Sequence, residues 1–490
     1  MAYSTKGWLS IKGRNKWVRM EEGISNTTKE LRQQTVSQIG VAIASKFIPI
    51  ASIFLFSRMM SVKDYGILNL FQSYLWIFTL LLSFNLHVAV GRYIYLIDAE
   101  IESFLGTTLL SVGFVFLCGS TGLFMFYDTT SELIGLSPFL LPLMLVIVSG
   151  QISESLITQI TIYYRRGNLL FWIVASKALI SLCFSIVLLF GWKNGQFFAV
   201  LLAESLASLI LTTIVFILLR NTIKWKFKRS HLEYMASYAL PLIPYMLGLT
   251  ILSQFDRVLI DRFYGKDATG LYSLSYNLGV LLLPFMTAVL NAFTPQFFEA
   301  LNRKNFAQSN QDARSIFALA LVGTITIILF GPQFAVLILP QRYTEGFNII
   351  PVVALGVLCS VGFQIWVRVL AYHHKTVLIS IITIFCALFN IGLNFWLLPL
   401  LGWKIAAWTS VLAYFCMCVI CIVVIKIGKY SSNLHQTWEG VWFITCLVII
   451  FVNSQHQMPK VLRIGILLSI IWCQRNNLRI FLPTSEKKFF

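Results

Sequence analysis

The sequence contains few charged residues for its length. Only 12% of its 490 residues are Asp, Glu, Lys or Arg, whereas about 25% is usual in soluble domains. Hydrophobic residues make up 57%, and the mean hydropathy is +0.77. This composition excludes a soluble globular protein and predicts an all-α protein that crosses a membrane many times.

Signatures of common enzymes and metal sites are also missing. The sequence has no Walker loop and no G-x-G-x-x-G, H-E-x-x-H or G-x-S-x-G motif, so we expect no catalytic residues, no ATP hydrolysis and no organic cofactor. The nine cysteines lie mostly in apolar segments, which argues against a disulfide framework. Cys416, Cys418 and Cys421 share one such segment without a nearby His, so we interpret them as packing residues and expect no metal site.

Acidic residues are scarce, with 20 Asp and Glu against 38 Lys and Arg, and the net charge is +18. If the N-terminus is cytoplasmic, 25 of the basic residues fall on the cytoplasmic side, 9 on the outer side and 4 inside apolar segments. This asymmetry is typical of a membrane protein with cytoplasmic termini, so it explains the charge without a nucleic-acid partner.

Apolar segments of about 20 residues can cross the hydrocarbon core as helices. Twelve clear candidates and two weaker ones predict 12–14 transmembrane helices. The clear ones are 36–60, 67–90, 104–126, 138–163, 169–190, 196–219, 238–260, 271–298, 315–340, 347–370, 377–398 and 403–426, and the weaker ones are 438–453 and 459–474.

The two halves of the chain repeat three short patterns in the same order: Arg with Gly eight residues later, Tyr with two basic residues, and Gly-Trp-Lys. Their offsets are 204, 208 and 211 residues, and six predicted spans separate each pair. The sequence therefore predicts two six-helix bundles related by a parallel pseudo-two-fold axis along the membrane normal. The patterns lie at 58–66 and 262–270, at 164–166 and 372–374, and at 191–193 and 402–404.

These features divide the chain into five predicted parts. Residues 1–35 form a polar, basic cytoplasmic lead-in without a cleavable signal peptide. Residues 36–219 form an N-lobe of spans 1–6, and residues 238–426 form a C-lobe of spans 7–12. Between them, 220–237 is a basic cytoplasmic inter-lobe loop, and 427–490 holds two weaker spans and a basic tail.

Four stretches within spans one to twelve carry a family likeness: Asp64-Tyr65-Gly66; the block running from Tyr238 through Phe255-Asp256-Arg257 to Gly270 and Tyr276; Phe298-Glu299; and the segment from Asn390 to Ala407. In these stretches the chain resembles the Wzx-type O-antigen and capsule flippases, which are polysaccharide transporters of the multidrug/oligosaccharidyl-lipid/polysaccharide superfamily. The resemblance implies two bundles around a central cavity that opens alternately to each side.

The resemblance also implies a function. Members of the resembled family move an undecaprenyl-diphosphate-linked oligosaccharide from the cytoplasmic to the outer leaflet of the bacterial inner membrane. The lipid-linked substrate and membrane lipids are therefore the expected partners. A polysaccharide polymerase and a chain-length regulator are further candidate partners, and H+ or Na+ is the candidate coupling ion.

A diphosphate-linked substrate requires a hydrated cavity with net positive charge, and ionisable residues inside a membrane are functional candidates by default. For Lys46 and Arg257 a structural ion pair is the alternative. For Arg368 and Lys177 we favour extension to lipid phosphates over substrate contact. The basic candidates are Lys46, Arg257, Arg58, Arg92, Arg262, Arg368 and Lys177.

Acidic and amide side chains in the spans are the remaining candidates. Glu154, Asp256 and Glu204 could couple transport to an ion, or could serve as structural acceptors and buried ion-pair partners. The amides could contact sugars, although hydrogen bonding between helices is the default interpretation. The amide candidates are Gln254, Asn277, Asn291, Asn390 and Asn394.

Two other functions fit a polytopic membrane protein of this size. A drug or cation antiporter of the same superfamily would be expected to have a net acidic pore, unlike this chain. A polysaccharide polymerase or ligase typically needs a large outer loop with catalytic Arg or His, and no predicted outer loop here exceeds about a dozen residues.

Overall fold

A computed structural model describes residues 48, 50–93, 100–135, 137–163, 167–192, 194–220, 223–303, 305–428, 430, 438–456 and 459–478. Within these ranges every regular element is a helix, and ten helical runs are long and apolar enough to cross a membrane. The prediction of an all-α polytopic membrane protein is confirmed. The lead-in 1–35, Lys46 and the tail beyond 478 lie outside the described residues.

Six apolar helices of ten residues or more make up most of the described part of the first lobe, and its buried residues form one hydrophobic core that extends from Met60 to Ala239. Of the predicted first span, only residue 48 and residues 50–60 are described. The helices are α1 (Ile50–Met59), α2 (Val62–Ser83), α3 (Ile101–Met125), α4 (Leu140–Tyr163), α5 (Gly167–Gly191) and α6 (Gln196–Arg220).

The second lobe has its own core, which extends from Leu252 to Ile470. A small third cluster around Tyr65 and Tyr343 joins the two lobes. Both weaker predicted spans form helices that pack on the second core. The helices are α7 (Ile243–Gly279), α8 (Leu282–Asn302), α9 (Phe306–Ile338), α10 (Ile350–Tyr372), α11 (Thr376–Leu401), α12 (Ile405–Ile427), α13 (Trp438–His456) and α14 (Lys460–Leu478).

Contacts between turns show which helix ends lie together. At one end, here named the Ser61 end, the Ser61 amide donates to Gln196 Oε1 at 3.2 Å. The opposite end, here named the Arg229 end, holds the Lys224–Glu102 ion pair at 2.8 Å. Successive spans alternate between these ends, as the predicted topology requires.

The chain reverses between spans seven and eight at Gly265. The predicted spans 238–260 and 271–298 leave residues 261–270 between them, but residues 266–270 are already helical and only Gly265 leaves helical geometry, with φ 81° and ψ −176°. Side chains rarely tolerate that conformation, whereas glycine adopts it readily. The second crossing continues as α8 after a short break at residues 280–281.

Helices α2 and α7 cross at two glycines, one from each repeat. A Cβ atom on Gly66 would overlap the Lys266 carbonyl oxygen, and a Cβ atom on Gly270 would overlap the Val62 carbonyl oxygen. Val62 and Lys266 are separated by the same 204 residues as the two glycines. This reciprocal contact at equivalent positions is what the predicted repeat and its pseudo-two-fold axis require.

Helix α14 carries a buried arginine in an otherwise apolar segment. Arg463 is 6% exposed, and its Nη1 donates to the Leu329 carbonyl oxygen at 2.9 Å. Pro332 lies just beyond in α9, where its ring disturbs the carbonyls of the preceding turn and removes one helical donor. The arginine is thus accommodated by a carbonyl oxygen in the helical turn before Pro332.

The predicted inter-lobe loop contains a helix, Arg229–Ala239. Its buried residues are His231, Met235 and Ala239, which recur every four positions and so share one face. The loop prediction missed this helix because the segment is short and its charged residues mask the apolar spacing.

Candidate functional site

Arg257 lies on α7 where this helix faces the first lobe. Its Nη1 donates to the Ser253 carbonyl oxygen at 2.9 Å and to Gln254 Oε1 at 3.1 Å, and its Nη2 donates to Asn277 Oδ1 at 3.2 Å. The guanidinium carbon lies 4.6 Å from the centroid of the Tyr276 ring. The side chain is only 4% exposed, so it is enclosed in this conformation.

The two amides that hold the guanidinium also reach α2. Ser73 Oγ donates to Gln254 Oε1 at 3.2 Å. Asn277 Nδ2 donates to Asn69 Oδ1 at 3.0 Å and to the Tyr65 hydroxyl at 3.3 Å. The arginine therefore orients Gln254 and Asn277, the two side chains that form hydrogen bonds between the second lobe and the first.

The charge of this arginine is not neutralised by an ion pair. Among the ion pairs that the described residues form, none includes Arg257. Its partners are neutral acceptors and an aromatic ring, so the group keeps its full positive charge in a buried position, which is costly without an anion. Phosphate is a suitable anion because a guanidinium can donate two parallel hydrogen bonds to it.

Asp256 points in the opposite direction, into the second lobe. Its Oδ1 accepts from Asn394 Nδ2 at 3.0 Å, and its Oδ2 accepts from the Tyr272 hydroxyl at 2.8 Å and from Ser410 Oγ at 2.5 Å. The residue is 1% exposed. Its three hydrogen-bond donors are all neutral, so its charge also lacks a direct counterion there.

Two further amides complete the surroundings of this carboxylate. Asn394 Oδ1 accepts from Thr409 Oγ1 at 2.7 Å, and Asn394 Nδ2 lies 3.3 Å from Asn390 Oδ1. Both asparagines are fully buried. Their contacts join α11 to α12 and α7, which agrees with the interpretation that these amides bond helices together.

A small cavity adjoins this group of side chains. It has room for about one water molecule, at about 20 Å³. Tyr276, Gly356, Ser410 and Tyr414 are among the residues that line it. Ser410 both lines this cavity and donates to Asp256, so the cavity is one side chain away from the carboxylate.

The first lobe contains two more of the predicted acidic residues. Glu154 accepts from Lys177 Nζ at 2.7 Å, and Glu204 accepts from Gln72 Nε2 at 2.7 Å. Our expectation that Lys177 extends to lipid phosphates is wrong, because a carboxylate on the neighbouring helix α4 lies within its reach. Glu154 therefore forms an ion pair, which we gave as the alternative to a role in ion coupling.

The other predicted residues are dispersed. Arg58, Arg92 and Arg262 are exposed near helix ends, Asn291 is exposed on α8, and Lys46 lies outside the described residues. Arg92 is over the Tyr238 ring at 5.0 Å.

Arg368 is half-buried in the second lobe. Its Nε donates to Thr294 Oγ1 at 2.8 Å, and its Nη1 donates to the Gln364 carbonyl oxygen. These bonds tie α10 to α8, so the guanidinium does not extend to lipid as we favoured. A role of Arg368 in substrate binding stays a prediction.

Sequence reasoning missed the residues of α2 that meet the arginine cluster. Tyr65, Asn69 and Ser73 follow one another at four-residue spacing, which places them on one helix face. This polar stripe on an apolar span was a readable signal. Sequence reasoning also missed Tyr272, because a single tyrosine in an apolar helix does not indicate which group its hydroxyl contacts.

The described residues contain no group of three or more His, Cys, Asp or Glu that could hold a metal ion. Cys418 and Cys421 are buried in α12. Their burial agrees with a packing role.

Comparison with known proteins identifies the family. Residues 31–301, more than half of the chain, match the family described as polysaccharide biosynthesis protein. The chain belongs to this family. A relative from Haemophilus influenzae, named Lsg locus putative protein 1, is 24% identical over 349 residues, which cover 69% of this chain and 84% of the relative.

Solved structures share the fold of this family member. One, described as the lipid II flippase MurJ in an inward closed conformation, has a TM-score of 0.61 at 15% identity and covers 92% of this chain and 100% of its own. A multidrug resistance MATE family transporter in an inward-facing conformation has a TM-score of 0.58 at 15% identity, covering 80% and 100%. The two-lobe fold is confirmed, and these neighbours are named as a flippase and a transporter rather than as enzymes.

Proposed function

We propose that this polysaccharide biosynthesis protein moves undecaprenyl-diphosphate-linked oligosaccharide repeat units from the cytoplasmic to the outer leaflet of the bacterial inner membrane. Membership of the family supports a substrate that belongs to surface polysaccharide assembly, such as O-antigen, capsule or exopolysaccharide. The fold shared with a lipid II flippase supports a lipid-linked substrate. A polymerase with its chain-length regulator would consume the product in the outer leaflet.

The buried Arg257 is the observation that carries this proposal. It lies between the lobes, keeps its positive charge and, among the described residues, donates its hydrogen bonds to neutral acceptors. A diphosphate that enters between the lobes would supply the missing anion. It would also compete for the donors that now hold Gln254 and Asn277, and so would loosen their bonds to α2.

The contacts between the lobes support alternating access. At the Ser61 end, Arg58 donates to the Ile338 carbonyl oxygen at 3.0 Å, and Arg342 donates to the carbonyl oxygens of Ser57 and Met60 at 2.7 Å each. These bonds use backbone oxygens that water can satisfy equally well after separation. With the Ser61 end on the outer side, as the charge pattern predicts, the present state is closed outward.

Asp256 is the best-supported site for ion coupling. A buried carboxylate without a cationic partner is costly unless it binds a proton or a cation. Carboxylate, amide and hydroxyl oxygens surround it, and these hard ligands suit H+ or Na+. Because Asp256 and Arg257 are adjacent on α7, ion binding in the second lobe and anion binding between the lobes can act on the same helix.

A complementation experiment tests the translocation. In a deletion strain, Arg257→Ala should abolish most polysaccharide export, and Arg257→Lys should retain more of it because it keeps the charge. The lipid-linked unit should accumulate where a membrane-impermeant oxidant added to intact spheroplasts cannot reach its sugars. Arg303→Ala is the matched control, since Arg303 is exposed and paired with Glu299.

The same assay separates the competing functions. Wild-type export from Arg257→Ala at normal membrane levels would reject the anion site. A lipid-linked unit that accumulates already exposed in the outer leaflet would point to a failed polymerase or ligase instead of a failed flippase.

Transport in proteoliposomes tests the coupling. Asp256→Asn should translocate at the same slow rate with or without a proton or sodium gradient, whereas the unmodified protein should be accelerated by one of them. Asp312→Asn is the control, because Asp312 is also fully buried and bonded to an amide. Flipping by the unmodified protein that is undiminished when both gradients are collapsed would reject ion coupling.

A further inference from the structure

The Arg229 end of the second lobe contains an open cavity that the transport proposal does not use. It lies between the first turns of α9 and the last turn of α14 and has a volume of about 570 Å³. Asn310, Gln311 and Arg314 line it from α9, and Asn476 and Asn477 line it from α14. Phe306 and Ala307 complete the lining, so carboxamides and one guanidinium share this space with apolar side chains.

Arg314 is the only charged residue among those that line this cavity. Its side chain is half-buried, and its Nε atom is buried without a hydrogen-bond partner among the described residues. It takes part in none of the ion pairs that these residues form. A half-buried guanidinium outside any of these ion pairs, with amides around it, is suited to a phosphate group, which accepts several hydrogen bonds at once.

The surface next to the cavity indicates which kind of molecule would carry such a phosphate. Asn476, Trp472 and Leu468 are spaced by four residues and so share one face of α14. Trp472 is 64% exposed and Leu468 is 60% exposed. This face therefore changes from polar at the cavity to apolar along the helix, with a tryptophan at the boundary where aromatic rings meet the headgroup region.

We propose that this cavity binds the phosphate headgroup of a membrane phospholipid. Arg314 holds the phosphate oxygens, and the carboxamides of Gln311 and Asn476 donate to and accept from the headgroup. The acyl chains lie along Trp472 and Leu468. Helix α9 carries no charged residue after Arg314, so the guanidinium lies at the depth of the headgroups. The proposal is independent of the transported substrate.

Lipid binding to the purified full-length protein tests this proposal. Delipidated protein in detergent is titrated with phosphatidylglycerol, and bound lipid is counted by native mass spectrometry. Arg314→Gln should weaken the tightest lipid-binding event about tenfold, as expected for loss of a hydrogen bond to a charged group. Arg303→Gln removes an exposed arginine at the same end of the molecule and should leave it unchanged. Inorganic phosphate alone is the second arm and should show no Arg314-dependent protection against heat.

Two further variants keep the test decisive if Arg314→Gln does not fold. Gln311→Ala changes an exposed residue that lines the cavity and should also weaken lipid binding. Trp472→Ala should weaken binding of the lipid because it removes contact with the acyl chains. Equal lipid binding by the cavity variants and Arg303→Gln would overturn the proposal. Arg314-dependent protection against heat by inorganic phosphate would also overturn it, because it would assign the cavity to a soluble anion.

Discussion

Gly66 on α2 and Gly270 on α7 contact each other's helix backbones at equivalent positions of the two repeats. Each glycine lies against a carbonyl oxygen that is four residues before the other glycine, Lys266 O for Gly66 and Val62 O for Gly270. Backbone atoms cannot move aside as a flexible side chain can. The distance between the lobes at the Ser61 end is therefore set by the absence of two Cβ atoms.

Gly66→Ala should push the lobes apart at this crossing. We expect a loss of stability of about 1–3 kcal/mol, the usual range for overpacking, together with reduced export. Thermal unfolding in detergent and complementation of a deletion strain would measure both. Gly113→Ala in α3 is the matched control, because a Cβ atom there meets nothing within 4 Å. Equal stability of the two variants would show that the crossing is not tight.

Asn277→Asp should give Arg257 the carboxylate that it lacks. Nη2 of the arginine lies 3.2 Å from Asn277 Oδ1, so the substituted carboxylate would form a buried ion pair with it. The second carboxylate oxygen would replace the nitrogen that donates to Asn69 Oδ1, so the Asn69 amide must turn its nitrogen towards it. We expect the protein to remain folded at wild-type levels but to lose export, because the charge offered to the substrate is neutralised.

Asn277→Ala is the comparison for this variant. It removes the bonds to Asn69 and Tyr65 but leaves the arginine charged, so it should lower thermal stability and retain part of the export. Export by Asn277→Asp at or above that of Asn277→Ala would contradict a role for the charge of Arg257.

The ion pair of Glu154 and Lys177 should contribute more than the exposed pairs do. Its side chains are 30% and 13% exposed, whereas those of Glu102 and Lys224 are 59% and 67% exposed. We expect Lys177→Ala to cost about 3 kcal/mol because it leaves a carboxylate unpaired inside the lobe. The corresponding change at the exposed pair should cost about 0–1 kcal/mol. Double-mutant cycles on thermal stability would measure both couplings.

The attachment of the inter-lobe helix Arg229–Ala239 should weaken in mild acid. Burial of His231 lowers its pKa below the ordinary value of 6.5, and the nearby charge of Lys228 lowers it further. The unfolded state then binds the proton more readily, so stability is complete above 6.5 and is lost as the pH falls below that value.

We therefore expect the melting temperature to fall between about pH 7.5 and about pH 5.5 and to fall less in His231→Gln. The neutral ring lies between the Tyr93 hydroxyl at 3.2 Å and Thr107 Oγ1 at 3.4 Å, so glutamine can retain part of the packing. An equal decrease in both proteins would assign the acid sensitivity to other groups.

The sequence alone predicted the family resemblance, the apolar spans and the repeat. Each of them depends on local composition and on the spacing of residues along the chain. Apolar runs of bilayer length must become helices, since lipid cannot satisfy an exposed backbone. The adjacent Asp256 and Arg257 had to face different directions, because neighbouring positions on a helix diverge by about 100°. Covalent connectivity and helix geometry alone determine these features.

Only the tertiary structure decided which side chains meet. From the sequence, the long side chain of Lys177 could extend either to lipid phosphates or to a carboxylate on a neighbouring helix. The packing of α4 against α5 places Glu154 within hydrogen-bonding distance of it. Asn69 and Asn277 are 208 residues apart, and no local pattern shows that they share a hydrogen bond. Such pairings depend on the register of one helix against another. That register is set by close contacts such as the one at Gly66, whose partner is distant in the chain.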